Sequence, residues 1–76
     1  MDALKKRQIE LDRQTQVTSI ESTCLQIKPG ESRCFEIIDL ETLARVRMRF
    51  SRLKADTGRA YSAEMEGNSI TVTRTA

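Results

Sequence analysis

The sequence predicts an α+β fold with element order ββαββ, in which one amphipathic helix packs across an antiparallel sheet of about four strands. Three observations lead to this fold. The run from Asp39 to Gly58 places apolar residues at helical spacing and carries capping residues at both ends. Pro29-Gly30 separates two β-rich runs, and Gly67-Asn68 separates two runs of alternating character. Strands with one apolar face on either side of a single amphipathic helix need that helix as their cover.

In chain order, residues 1–16 (MDALKKRQIELDRQTQ) read as an N-terminal arm, poorly ordered or briefly helical, ahead of a single domain over residues 17–76. Leu4, Ile9 and Leu11 make no helical stripe, and Gln8 to Asp12 fits an alternating strand equally well. Lys5-Lys6-Arg7 is either part of a solvated arm or a segment that tracks a phosphate backbone.

Val17 to Ile38 reads as a hairpin. Thr23 to Ile27 is the first strand and Arg33 to Ile38 the return. Pro29 presets φ for the first central position of a type II turn and Gly30 accepts positive φ at the second. That register pairs Leu25 with Cys34 and points Cys24 and Cys34 to opposite faces, which disfavours a disulfide. A three-residue loop would put both thiols on one face. In either register buried free thiols are the expectation for two cysteines in a chain with no secretory signal.

Asp39 is a good N-cap for the central helix, because its carboxylate accepts from free first-turn amides. Gly58 suits the left-handed residue that closes a helix. Leu40, Leu43, Val46, Phe50 and Leu53 recur at steps of three and four. Arg45, Arg49, Arg52 and Asp56 fall opposite that stripe, and Arg47, Ser51 and Lys54 form a column along its edge. After the helix, Gly67-Asn68 predicts a two-residue hairpin that pairs Met65 with Ile70, Ala63 with Val72 and Tyr61 with Arg74. Tyr61, Ala63, Met65, Ile70 and Val72 then share one face.

At 76 residues, 38% of them hydrophobic and three aromatic, the chain makes one small domain. Small scaffolds often gain stability by self-association, so a homodimer is expected. The formal net charge is +2, but it is unevenly spread. Arg45 to Arg59 holds six basic residues and one acid, while the remainder holds seven basic and ten acidic residues. Such a patch attracts nucleic acid, an acidic protein surface or an anionic nucleotide. No apolar run is long enough to span a bilayer, so the expected setting is the cytoplasm.

The chain has no histidine, no Gly-rich phosphate loop and no metal-ligand spacing, so neither an enzyme nor a cofactor or metal is expected. The candidate binding residues are Arg45, Arg47, Arg49, Ser51, Arg52, Lys54, Arg59, Tyr61 and Arg74. Within this set Arg47, Ser51, Lys54, Arg59, Tyr61 and Arg74 are placed to line a rim between helix and hairpin. Arg74 opposite Tyr61 is positioned for a cation–π pair or for holding a phosphate. The competing reading is that Arg74 caps the core edge and the helical arginines are simply solvated.

The run Gly30-Glu31-Ser32, then Arg47, Ser51, Lys54, Thr57-Gly58-Arg59 and Tyr61, with a closing Val72-Thr73-Arg74, resembles a pattern in short uncharacterised accessory proteins of tailed phages and other mobile elements. The resemblance covers residues 30–75. It implies a cytoplasmic accessory protein of a phage or bacterium and transfers no established activity. Two functions follow as expectations: a nucleic-acid-binding accessory protein using the arginine-rich helix face, and an inhibitor of a host defence protein or a sponge for an anionic nucleotide.

Overall fold

A computed structural model describes residues 3–76. Five elements follow in order: α1 (Ala3–Cys24), β1 (Ser32–Glu36), α2 (Leu40–Thr57), β2 (Tyr61–Glu66) and β3 (Ser69–Arg74). The sheet has three strands in the order β1-β3-β2, and both pairings are antiparallel. β1 and β2 therefore run parallel to each other on either side of β3, and β1-α2-β2 is a split βαβ crossover. Both helices cover one face of the sheet. Val17, Ile20 and Cys24 of α1 meet Leu43, Val46 and Phe50 of α2 over Ile70 and Val72 of β3.

This corrects the expected ββαββ order and four-stranded sheet. In place of the expected arm over residues 1–16 and strand over Thr23–Ile27, one helix runs unbroken from Ala3 to Cys24 and a turn follows it; residues 1–2 of the expected arm lie outside the described residues. The reason lies in its buried side, where Glu10, Arg13, Val17, Ile20 and Cys24 recur at steps of three and four. The first two of these are charged, so apolar periodicity alone does not reveal the stripe. Leu4 and Leu11, which looked like the apolar candidates, are 75% and 49% exposed. No Gly or Pro precedes Pro29, so nothing local breaks the helix. The β-rich composition of Thr23 to Ile27 loses to the burial of Cys24 and Ile27 in the core. The expected pairing of Leu25 with Cys34 does not form, and β1 pairs with β3 instead, Cys34 opposite Thr71.

Other local features fold as their chemistry dictates. Glu31 N–H donates to the Lys28 carbonyl at 3.0 Å across Pro29-Gly30, and Gly30 has φ +89°, as a type II turn requires. The turn delivers the chain into β1 rather than joining two strands. Asp39 Oδ1 accepts from the Thr42 amide at 2.9 Å, and Gly58 closes α2 at φ +78° with its N–H on the Lys54 carbonyl. Leu43, Val46 and Phe50 are buried as the stripe predicts, whereas Leu40 is exposed. The hairpin register is the predicted one at every pair from Tyr61↔Arg74 to Glu66↔Ser69.

If α1 is an integral wall of the core, Ile20→Ala will destabilise the fold by roughly 2–5 kcal/mol in a urea melt, the range for emptying a buried isoleucine site. Leu4→Ala and Leu11→Ala will stay within about 0.5 kcal/mol of the parent.

Candidate functional site

The cations of α2 divide between its two flanks. On the flank facing α1, the Arg45 guanidinium grips the Glu10 carboxylate with two bonds of 2.5 and 3.0 Å and also reaches Glu41 at 3.3 Å. Arg49 stands 3.8 Å from Glu21. One step along, Arg13 of α1 donates from Nε to Asp39 at 2.8 Å. Arg45, Arg49 and Arg52 border a groove of about 440 Å³ between the helices, whose lining includes the buried Val17 and the exposed Met48. Its positive charge is largely balanced by Glu10, Glu21 and Glu41, and only Arg52 has no polar partner among the described residues.

The other flank differs. Arg47, Ser51 and Lys54 form one wall of a groove of about 360 Å³ whose remaining lining is Phe50, Ala60, Tyr61, Ala63 and Thr75. Two cations enter this lining and no acid does. Arg47 spends one bond on the Ala63 carbonyl, 3.2 Å away, and Lys54 has no polar partner among the described residues. The column read along the edge of the helix thus meets Tyr61 as the sequence predicts. Ala60, Ala63 and Thr75 were missed, although the hairpin register carries the signal. One step beyond Tyr61↔Arg74, Thr75 N–H reaches the Ala60 carbonyl at 2.8 Å.

Arg59 and Arg74 turn away from that groove. Arg59 Nη1 donates to the Leu25 carbonyl at 2.8 Å, Arg74 Nη1 to Ile27 at 3.0 Å, and the Tyr61 hydroxyl to Cys24 at 3.0 Å. These three donors serve the Cys24 carbonyl at the end of α1 and the Leu25 and Ile27 carbonyls of the segment just past it. Arg74 does lie opposite Tyr61, but the tyrosine ring stacks on Phe50, with centroids 4.9 Å apart. The core-edge role weighed for Arg74 is the one it takes.

The ion pairs leave a mark on acidity. The Arg45 hydrogen bond is the main force holding the Glu10 carboxyl below its ordinary value. Asp39 is held low first by the Thr42 amide and then by Arg13. Both thiols are free. Cys24 is buried, and burial pushes its thiol up to about 11, whereas Cys34 is exposed on the open sheet face, which corrects the expectation of two buried thiols. Among the described residues no three His, Cys, Asp or Glu side chains gather as a metal site, and no helix is long and apolar enough to cross a membrane.

Two outcomes follow. A carboxylate whose acidity is raised on folding stabilises the fold above the ordinary carboxylate range and ceases to do so as pH falls through its lowered value. Acidification below about pH 4 will therefore loosen the seam between α1 and α2, read as amide shift changes in residues 3–13 and at Thr42 before the core melts. An aromatic disulfide reagent at pH 8 will label one thiol per chain, Cys34, and reach Cys24 only in denaturant.

Compared with profiles of known protein families, with curated proteins and with solved structures, the chain finds no match.

Proposed function

We propose that this is a non-enzymatic binding protein that docks on an acidic segment of another protein through the α2–β2 groove. The observation that carries this reading is the convergence of Arg47, Ser51 and Lys54 with Tyr61 and Thr75 on one open groove whose lining contains no acid. Extended tracking of a phosphate backbone needs a row of available cations, and Arg45 and Arg49 are instead engaged by Glu10, Glu41 and Glu21. A compact acidic feature of a partner matches the two cations, Arg47 and Lys54, that line this groove. The resemblance to phage accessory proteins would make that partner a host protein and the setting a bacterial cytoplasm.

Nucleic-acid binding is the second reading, favoured by Arg52. This side chain has no polar partner among the described residues and sits on the same stretch of α2 as Arg47 and Lys54. These three cations, none of them paired with an acid, would give a plot of log affinity against log salt with a slope of about −3 on duplex DNA.

The pair Arg47→Glu and Lys54→Glu separates these readings, because neither side chain belongs to the buried cluster. Circular dichroism should be unchanged. The wild-type protein should retain a discrete, mass-identified acidic protein from bacterial lysate at low salt, and the variant should lose it. Fluorescence anisotropy with single-stranded and duplex oligonucleotides should stay flat. A slope near −3 that the variant abolishes would instead establish the second reading, and silence in both assays would remove both.

A further inference from the structure

β2 is an edge strand. Ala60 turns its carbonyl and N–H toward the end of β3, to Thr75 N–H at 2.8 Å and the Ala76 carbonyl at 3.3 Å. By the alternation of an antiparallel ladder, Ser62, Glu64 and Glu66 also face β3, while Tyr61, Ala63 and Met65 point their backbone groups outward. The Ala63 carbonyl agrees, since it accepts from Arg47 Nη2 at 3.2 Å.

The opposite edge of the sheet is better guarded. On β1 the Ser32 carbonyl is taken by Arg33 at 2.8 Å and the Glu36 carbonyl by the Gln16 amide at 2.6 Å. An unpaired strand edge is a template for another strand unless something blocks it. On β2 the one obstacle among the described residues is the long, flexible Arg47 side chain.

We infer that the α2–β2 groove takes an extended acidic segment of a partner protein as a fourth strand alongside β2. This rests on the reading of the groove as an anion site and names the form of its ligand. Three features select the occupant. The first is space. A strand adds at about 4.8 Å, whereas a helix is about 10 Å across, so a second copy carrying its own helix above the strand collides with α2 and a bare extended segment does not. The second is the wall on the helix side. Alternate side chains of the added strand face Arg47, Ser51 and Lys54, which favours acids there. The third is the open face, where the other side chains lie beside Ser62, Glu64 and Glu66, which favours bases or hydroxyls.

On docking, a peptide N–H replaces the Arg47 donor at the Ala63 carbonyl, and the guanidinium is released to a glutamate of the incoming strand. The segment is recognised partly through its backbone and partly through acids at every second position, as in strand-addition modules generally.

The test uses two capped peptides of identical composition, acetyl-Thr-Glu-Lys-Glu-Lys-Glu-Thr-amide and the block isomer acetyl-Thr-Glu-Glu-Glu-Lys-Lys-Thr-amide. Only the first can place all its acids on one side of a strand. The alternating peptide should bind about tenfold more tightly than the isomer, and Arg47→Glu with Lys54→Glu should weaken it by about tenfold. Ala63 and Met65 amides should gain exchange protection in the complex while Ser62 and Glu64 keep what they have. Methylating the backbone nitrogens of the glutamates, or alternatively those of the lysines, should abolish binding in one case and spare it in the other.

Equal binding of both isomers with no protection at Ala63 and Met65 overturns strand addition while leaving the anion groove standing. No binding of either peptide, beside retention of an acidic lysate protein that depends on Arg47 and Lys54, also overturns strand addition alone. Loss of both overturns the underlying reading as well.

Discussion

The termination of α1 is the constraint on which the rest of this molecule depends. The helix ends at Cys24 with no glycine and no basic residue in its last turn. Its last carbonyls bond locally, Glu21, Thr23 and Cys24 accepting from the Leu25, Gln26 and Ile27 amides. The Cys24 carbonyl and those of Leu25 and Ile27 just beyond it also accept from Tyr61, Arg59 and Arg74 at the far end of the chain, and these bonds fix how the end of α1 sits on the sheet. They also bind the hairpin to α1, two parts of the chain separated by more than thirty residues. Tyr61 carries the link further, because its ring stacks on Phe50 in α2. One residue thereby joins α1, α2 and β2, and the groove beside it inherits a rigid floor.

The second constraint is the ionic seam between the helices. Apolar burial along α1 begins at Val17, so the part nearer the N-terminus is held by Glu10 and Arg13 against Arg45 and Asp39. These groups are partly exposed, so each pair contributes modestly and responds to salt. The seam has a functional side effect. It removes Arg45 from the pool of available cations and tempers Arg49, which concentrates free positive charge on the β2 flank. A helix that looks uniformly basic in isolation is thus asymmetric in place.

This explains what could be read in advance. α2 and the hairpin were legible because their signals are local: Asp39, Gly58, the apolar stripe and Gly67-Asn68 all act within a few residues. The Arg47-Ser51-Lys54 column and its meeting with Tyr61 followed from helical spacing and hairpin register. α1 was illegible because part of its inward face is charged and no glycine closes it at Cys24. Missing α1 had two further costs. The acids that neutralise Arg45 and Arg49 went unrecognised, and β1 was assigned a partner strand where α1 ends and a turn follows. Arg59 and Arg74 were misplaced for the same reason, since the Leu25 and Ile27 carbonyls they bond follow a helix that local sequence did not announce.

The Gln16 side chain offers one more consequence. Its amide donates to the Glu36 carbonyl and accepts from the Ile38 N–H, so a single carboxamide reproduces the pairing that a neighbouring backbone would make. It behaves as a strand one residue long, stitched permanently to that margin of the sheet. Head-to-tail stacking needs two complementary open margins on every copy, and this one is obstructed at Ser32, Glu36 and Ile38. The molecule can keep one receptive border with a reduced hazard of fibres.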